Sequence, residues 1–320
     1  MNIPDLNYPV PTHETWKHID NTRLECYERC ERRFFFKYVL GWRSTKPNKD
    51  LVWGEAVHRM LGHCDRRGWD EENRIIGVTL AQDYYQEHFD IIDEVDNAPK
   101  NRGQLEIVMN HYWNFYRREI ESGKYNVLAT EIAFRMKLPG GIVATGRLDR
   151  IDQDTDTYEL IIREYKTAGK RLDDKSINQW QLSGQLAMYT TAILRKYPEH
   201  TISGAAVRHI VPYKTDTKTN FTDIPVSLDT ESLLSWLQDV QFRVSQIIDD
   251  FRILGEPNGW KYCFARRKVN CYDFGRLCPW FDLCAKPLSP MEAYSEGPPR
   301  NCEVKFWDPT EEKTEEIWEL

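Results

Sequence analysis

Two acidic residues and a lysine, Asp149, Glu164 and Lys166, lie in a stretch that predicts two β-strands joined by a tight polar turn. The Asp and Thr residues at 154–157 supply the turn chemistry. A hairpin that is symmetric about Asp156–Thr157 places Asp149 directly opposite Glu164, with their Cβ atoms about 4.5–5.5 Å apart. Strand side chains alternate between faces, so Lys166 points the same way as Glu164.

This patch of charged side chains would suit a divalent metal ion. Two carboxylates that lie so close repel each other unless a cation lies between them, and a divalent metal is the natural candidate. Acidic residues near the turn of an exposed hairpin are also common, and such a trio usually belongs to a solvated face. The neighbouring elements have to distinguish a metal site from a charged surface.

Alternating apolar residues predict a three-stranded meander that contains this hairpin. Its strands cover residues 127–138, 142–152 and 157–167, and Gly140–Gly141 makes the first turn. Glu131, on the first strand, either reaches the same site or simply pairs with a neighbouring arginine. The sequence leaves both roles open.

Two predicted helices carry further polar candidates. The segment GEAVH opens a helix, and its His58 would be a metal ligand because a neutral imidazole can join a carboxylate-rich site. A lone helix histidine is, however, more often a packing or surface residue. Residues 177–197 predict an amphipathic helix in which Gln181, Gln185 and Tyr189 recur every four residues. These three residues form one polar line on an otherwise apolar helix.

The segment 20–42 predicts a helix in which basic and aromatic residues are interleaved. Its basic residues are Arg29, Arg32, Arg33 and Lys37, and residues 34–36 are all phenylalanine. This mixture suits single-stranded nucleic acid, because bases stack on aromatic rings and phosphates pair with cations. An amphipathic core helix with a charged outer face explains the aromatic residues equally well.

A group of cysteines near the C-terminal end predicts a second metal site. Cys271, Cys278 and Cys284 follow one another with the spacing C-x6-C-x5-C, without a CxxC pair. Three cysteines need a fourth ligand from elsewhere in the chain. Cys30 is the preferred candidate, and Cys26 and Cys263 are competitors. A set of unrelated buried thiols is the alternative interpretation.

The formal net charge of −7 at pH 7 hides an uneven distribution. Residues 23–49 hold eight Lys/Arg against three Glu, and residues 261–286 hold six against two Asp. The last 29 residues hold nine acids against three bases, so the rest of the chain is nearly neutral with two basic patches. Overall acidity therefore does not exclude a nucleic-acid partner.

The same composition predicts a cytoplasmic protein. No apolar run approaches the eighteen or so residues of a membrane span, so we expect no membrane partner. The first residues have neither a basic flank nor an apolar run, which argues against a signal peptide. Eight cysteines without a secretion signal indicate reduced thiols or metal ligands rather than disulfides.

Taken together, these motifs resemble those of the PD-(D/E)XK nuclease superfamily, specifically its RecB-like exonucleases with an iron–sulfur cluster. The similarity runs from about Thr22 to Cys284, and residues 65–125 contribute little to it. YERCERRFFFKY resembles the N-terminal helix that donates the first cluster cysteine, and GEAVH resembles the G-x-x-x-H motif. TGRLDRID, EYK and QLAMY resemble the acidic-ligand, E-x-K and Q-L-x-x-Y motifs, in the order of that family.

The resemblance implies a role for each of these residues. It implies catalytic roles for Lys166, Asp149, Glu164, Gln185 and Tyr189, and Mg²⁺ or Mn²⁺ ligands in His58, Asp149 and Glu164 with the Tyr165 carbonyl. It implies a 4Fe-4S cluster on Cys30, Cys271, Cys278 and Cys284. Many relatives space the first two cysteines of the trio as CxxC, and structural Zn²⁺ is the alternative occupant.

The implied fold is α/β, with a restriction-endonuclease-like core in which helices flank a mixed central sheet. One nuclease domain would cover residues 1–290, including a helical insertion at 65–125 and a cluster-binding segment at 261–286. We expect residues 291–320 to form an acidic, flexible tail.

The implied activity is a metal-dependent DNA exonuclease that acts on single-stranded ends in recombination, repair or DNA processing. A nuclease subunit for CRISPR adaptation or for a helicase–nuclease complex is the first alternative. The chain has no Walker A motif, so a helicase or recombination partner would be a separate protein. The alternative of another class is a non-catalytic DNA-binding module with a structural cluster, which would not require all of Asp149, Glu164 and Lys166.

Overall fold

The computed structural model describes residues 12–138, 142–169, 172–213, 218–273, 276–285, 294, 296–306, 308 and 316–320. The α-helices are α1 (Asn21–Arg29), α2 (Glu31–Phe34), α3 (Lys49–Arg67), α4 (Glu71–Gln86), α5 (Glu94–Asn97), α6 (Arg102–Glu121), α7 (Asp174–Gln179), α8 (Gly184–Lys196), α9 (Thr230–Leu254) and α10 (Phe281–Ala285). The strands are β1 (His18–Ile19), β2 (Trp42–Ser44), β3 (Tyr125–Leu138), β4 (Ile142–Asp154), β5 (Leu160–Thr167), β6 (Ile202–Pro212), β7 (Thr219–Val226), β8 (Tyr272–Asp273), β9 (Arg276–Leu277), β10 (Cys302–Val304) and β11 (Glu316–Glu319).

A mixed sheet lies at the centre of the fold, in the order β11-β3-β4-β5-β6-β7, with β1 pairing beside β4. Strands β3, β4 and β5 form the antiparallel meander that the sequence predicts. The chain then crosses through α8 and returns as β6, parallel to β5. This mixed α/β architecture, with helices on both sides of the sheet, confirms the predicted fold class.

The β4–β5 hairpin has the register that its symmetry predicts. Arg150 pairs with Arg163 and Ile151 pairs with Ile162, so Asp149 and Glu164 come next in the same register. Because β3 occupies the other edge of β4 along its length, β1 pairs on the same edge as β5, and only with Val143 and Ala144. Residues 145–149 of β4 therefore lie between the two partner strands, where the sheet opens into a cleft.

Two apolar cores pack against the opposite faces of the sheet. One joins the sheet to α1, α8 and α9, and it contains Leu148, Tyr189 and Phe251. The other joins α3, α4 and α6 to the sheet through Tyr165 and Ile210. The helices of the 65–125 segment thus bury one face of strand β5. None of the helices in the described ranges is long and apolar enough to cross a membrane.

A buried network of ion pairs lies under the hairpin. Asp152 accepts from Arg150 Nε at 2.6 Å and from Arg163 Nε at 2.9 Å. Asp65 of α3 accepts from the Tyr165 hydroxyl at 2.7 Å and pairs with Arg150. Because each buried charge has an oppositely charged partner, the network ties α3 to both strands of the hairpin.

The continuous helix predicted for residues 20–42 is interrupted at Cys30. Helix α1 ends at Arg29, Cys30 takes an extended conformation with φ −166°, and α2 is followed by a π-helical turn at Phe35–Val39. The predicted base-stacking role of residues 34–36 is wrong, because Phe34, Phe35 and Phe36 are only 5%, 2% and 0% exposed. The alternative of an amphipathic core helix describes these rings correctly.

The described parts of residues 291–320 differ from the predicted flexible tail. Strand β10 pairs with β2, and β11 pairs in parallel with β3 at the edge of the central sheet. Trp318 on β11 is 1% exposed and packs edge-on against Tyr197 at 5.7 Å between ring centroids. The acidic composition predicts disorder, but one apolar side chain and a free sheet edge are enough to fix the strand.

Replacing Trp318 with alanine is expected to lower the free energy of unfolding by about 3–5 kcal/mol, because it removes a large buried side chain. Chemical denaturation monitored by circular dichroism measures this change. Ile317→Ala is the matched control: Ile317 lies on the same strand and is 40% exposed, so it should cost less than about 1 kcal/mol. Equal effects of the two substitutions would show that β11 does not dock through Trp318.

Candidate active site and cysteine cavity

The cleft beside β4 is a cavity of about 200 Å³ that is lined by all five of the predicted catalytic residues. Strands β4 and β5 form its floor. Helices α3 and α8 each contribute at least one lining side chain, and the start of α1 closes one side. Its lining residues include His58, Asp149, Glu164, Lys166, Gln185 and Tyr189. Residues separated by up to 131 positions in the sequence therefore meet in one place.

Asp149 lies at the centre of this cavity and is 4% exposed. Its Oδ1 lies 3.0 Å from His58 Nδ1, and its Oδ2 accepts from the backbone N–H of Tyr165 at 2.7 Å. The two oxygens of one carboxylate thus face two different elements, helix α3 and strand β5. Both contacts hold the side chain in one orientation.

Glu164 is 1% exposed and its two oxygens differ. Oε1 lies 2.6 Å from Lys166 Nζ and accepts from Gln185 Nε2 at 2.7 Å. Gln185 also lies 2.8 Å from the Tyr189 hydroxyl, so the polar line predicted on α8 points at the acidic strand. Gln181, the third member of that line, instead donates to the Pro225 carbonyl and does not line this cavity.

Glu131 also belongs to the site, and it was not among the predicted site residues. One ligand atom each from Glu131, His58 and Asp149 lie within 4.8 Å of one another. Among the residues that the structure describes, this is the one group of possible metal ligands that lies so close together. Glu131 also pairs with Arg147 Nε at 3.3 Å. Both roles that the sequence left open are therefore seen. The antiparallel register of β3 and β4 is the feature from which the sequence could have placed Glu131 at the site.

Burial and mutual repulsion set the protonation of these groups. Burial raises the pKa of Glu164 to about 7, aided by the charge of Asp149, and the same causes raise the pKa of Glu131 to about 7. Burial opposes the charged form of His58, but the charge and hydrogen bond of Asp149 raise its pKa to about 9. Despite burial, His58 lowers the pKa of Asp149. The acidic groups are crowded, which is the situation that a divalent cation relieves.

One further observation supports the fit between these donor atoms and a divalent cation. Glu164 Oε2 is buried and has no hydrogen-bond partner. A buried carboxylate oxygen is rarely left without a partner, because losing its hydration is unfavourable. Imidazole and carboxylate donors together are ligands that Mn²⁺ and, for the oxygens, Mg²⁺ accept.

A separate cavity of about 300 Å³ is lined by four cysteines. Cys30, at the break between α1 and α2, faces Cys271, Cys278 and Cys284 across it, with Arg29, Arg33, Arg266, Trp280 and Phe281 in the same wall. The competitors Cys26 and Cys263 are 8% and 2% exposed in the apolar core and do not line this cavity. Burial raises the pKa of Cys284 to about 11.

The four basic residues predicted to bind nucleic acid fall into two pairs. Arg29 and Arg33 lie in the wall of the cysteine cavity. Arg32 donates to the Phe264 carbonyl at 2.8 Å and lies over Trp260, and the Lys37 ammonium lies 4.9 Å from the centre of the Tyr38 ring. Burial lowers the pKa of Lys37. Arg32 and Lys37 are therefore engaged in packing within the chain.

Comparison with known proteins gives one family. The model of the PD-(D/E)XK nuclease superfamily matches residues 21–285, a range that contains every lining residue of the two cavities except Asp20. No curated protein sequence matches the chain. A solved structure titled "Crystal structure of SSO0001" is similar at 16% sequence identity and a TM-score of 0.27, over 67% of this chain and 91% of that chain.

Proposed function

We propose that this chain, which belongs to the PD-(D/E)XK nuclease superfamily, is a metal-dependent DNA exonuclease that acts on single-stranded ends. The observation that carries the proposal is the meeting of Asp149, Glu164 and Lys166 with His58 in one cavity. A binding module would need neither the buried carboxylate with an unpaired oxygen nor a lysine beside it.

His58, Asp149 and Glu164, with the Tyr165 carbonyl, would hold Mg²⁺ or Mn²⁺. When bound, the cation would polarise the scissile phosphate and make a bound water more acidic. The Tyr165 backbone N–H holds Asp149, and Tyr165 is itself anchored to Asp65. This chain of contacts keeps the ligands from moving apart when substrate enters.

Lys166 would act on the phosphate directly. Its side chain is about one third exposed and reaches the cavity beside Glu164. A fixed positive charge there would stabilise the negative charge that develops on the phosphate oxygens, or would orient the attacking water. Gln185 and Tyr189 would hold Glu164 and position the DNA strand.

The second cavity supports a 4Fe-4S cluster on Cys30, Cys271, Cys278 and Cys284. Four thiolates complete such a cluster, and the basic residues in the wall would offset its negative charge. The same four thiolates would also satisfy one zinc ion, and metal analysis of the purified chain distinguishes the two occupants.

The nuclease proposal is tested with labelled DNA of different topology. Linear and circular single-stranded DNA, and blunt duplex of the same sequence, are incubated with the full chain and Mg²⁺ or Mn²⁺. We expect progressive shortening of linear single strands and intact circles, because an exonuclease needs an end. Cleavage of the circles would show that the chain is an endonuclease and not an exonuclease. Binding without cleavage of any substrate would favour the non-catalytic module.

Replacing Gln185 with leucine is expected to weaken Mn²⁺ binding about 10–100-fold, because Glu164 loses the amide that orients it. Titration calorimetry of the purified chain measures this affinity. Gln181→Leu is the matched control, since Gln181 donates to the Pro225 carbonyl outside the cavity. If both variants bound Mn²⁺ as tightly as the wild type, Gln185 would have no part in ordering the site.

A further inference from the structure

The edge of β4 between β1 and β5 carries two polar side chains that have no role in the reaction described so far. Arg147 and Thr145 stand two and four positions before Asp149, and all three residues line the cavity. Strand residues two positions apart share a face and lie about 6.6 Å apart. Thr145, Arg147 and Asp149 therefore form one row along β4, with the acidic residue at its end.

Arg147 brings a further positive charge to this cavity. Asp149 comes opposite Glu164 in the register of the β4–β5 hairpin. Two residues further along each strand, Arg147 comes opposite Lys166 by the same count. Because Arg147 lines the cavity from β4 and Lys166 lines it from β5, a DNA strand that enters would pass between two cations.

Two glutamates hold the Arg147 guanidinium from outside the cavity. Its Nη2 lies 2.9 Å from Glu55 Oε2, and its Nε lies 3.3 Å from Glu131 Oε2. Neither glutamate is among the residues that line the cavity, whereas Arg147 is. The guanidinium is thus oriented by its two carboxylate partners while it forms part of the wall. A planar guanidinium held in this way is well suited to bind a phosphate.

Thr145 has a buried hydroxyl that lacks a hydrogen-bond partner. The residue is 0% exposed, and its Oγ1 has no partner within the described part of the chain. A buried hydroxyl in this state is unfavourable, because it has lost its hydration. A ligand in this cavity that accepts a hydrogen bond would remove that cost, and a phosphate oxygen is such an acceptor.

We propose that Arg147 and Thr145 form a subsite for a backbone phosphate of the DNA strand, next to the phosphate that is cleaved. This inference rests on the proposed nuclease function and deepens it. A phosphate at Arg147 would align the strand along β4, while Lys166 meets the scissile phosphate. Because both residues of the subsite would contact phosphate and not a base, the subsite would bind all sequences alike.

The competing explanation is that Arg147 only ties α3 to the sheet. Glu55 lies on α3, and Glu55→Gln removes one charged partner of the arginine but leaves the charge of the arginine itself. A purely structural role predicts that Arg147→Met and Glu55→Gln change DNA affinity alike. A phosphate contact predicts weaker DNA binding for Arg147→Met alone.

The test uses single-stranded oligonucleotides that carry one uncharged methylphosphonate at successive linkages, with Mg²⁺ and the full chain. For the wild type, we expect the KM of the first cleavage to rise about 10-fold when the neutral linkage occupies the subsite, because a contact to a charged group is lost. Arg147→Met should raise the KM for unmodified DNA by a similar factor and should respond no further to that linkage. Its slope of log affinity against log salt should become shallower by about 0.7, the value for one phosphate contact on a single strand.

Thr145→Val tests the other half of the subsite. Valine keeps the branched shape and removes the unpaired hydroxyl, so the free energy of unfolding should be unchanged or higher, while the KM rises about 10-fold. Thermal unfolding checks that all three variants fold.

Each other outcome has a definite meaning. The subsite is overturned, while the nuclease proposal stands, if Arg147→Met and Glu55→Gln raise the KM equally. The same holds if Arg147→Met stays as sensitive to the neutral linkage as the wild type. An unchanged KM in Thr145→Val would overturn the part assigned to the hydroxyl. A wild-type chain that cleaves none of the oligonucleotides would instead contradict the proposed function itself.

Discussion

Replacing Asp149 with alanine is expected to lower the rate of DNA cleavage by about 10³-fold or more while the chain stays folded. Asp149 connects His58 with strand β5 and lies at the centre of the cavity. Its loss leaves His58 and Glu164 as the remaining side-chain ligands, too few to hold the cation in place. Lys166→Met should have an effect of the same order, because it removes the positive charge nearest to the reacting phosphate. Single-turnover cleavage of end-labelled DNA measures both.

Folding of these variants can be checked independently. Removing Asp149 relieves the crowding of the carboxylates but leaves His58 and the Tyr165 N–H without their partner, so thermal unfolding monitored by circular dichroism should occur at a lower temperature and still as one cooperative transition. Lys137→Met is the control for the lysine, since Lys137 is exposed on β3 and should leave the cleavage rate unchanged. Wild-type rates in Asp149→Ala would show that the cavity beside β4 is not the active site.

Cys278→Ser is expected to remove the cluster and to destabilise the whole domain. The cysteine cavity joins Cys30 near one end of the domain to three cysteines some 240 positions later. For a covalent cross-link, closing a loop of this length stabilises a fold by about 5 kcal/mol, and cluster binding is coupled to folding in the same sense. Chemical denaturation of anaerobically purified protein measures the loss.

The cluster itself can be identified in the same samples. We expect brown wild-type protein with about four iron and four sulfide per chain, and neither in Cys278→Ser. Cys302→Ser is the control, because Cys302 lies on β10 and does not line the cavity. Colourless protein that contains one zinc per chain would show that the same four cysteines bind zinc instead of the cluster. Full stability of Cys278→Ser would rule out both.

Local patterns predicted the β4–β5 hairpin well. The two-residue period and the polar turn at 154–157 fix which residues of β4 and β5 are opposite, because a one-residue shift would turn every side chain to the other face. Asp149 and Glu164 therefore followed from the sequence. Glu131 needed one more step, the register of β3 against β4, and its left-handed backbone, with a φ of +48°, has no signal in the pattern.

The errors occurred where contacts are distant in the sequence. Apolar residues recur at helical spacing on both sides of Cys30, so the local sequence does not predict the break at this residue. The break places the Cys30 thiol in the cavity with Cys271, Cys278 and Cys284. Strand β11 pairs with β3 across some 180 positions, and its composition resembles that of a disordered tail. In the same way, the hydrogen bond from Arg32 to the Phe264 carbonyl joins residues that are 232 positions apart. Tertiary packing, which a local window does not contain, decided each case.

The proposed active site is tested most directly by removing and returning the divalent cation in a cleavage assay. Wild-type protein treated with EDTA should leave end-labelled single-stranded DNA intact, and excess Mg²⁺ or Mn²⁺ should restore shortening from the ends. Asp149→Ala should stay inactive at every metal concentration. Cleavage that persists in EDTA, or that returns equally in Asp149→Ala, would contradict a cation held by the residues of this cavity.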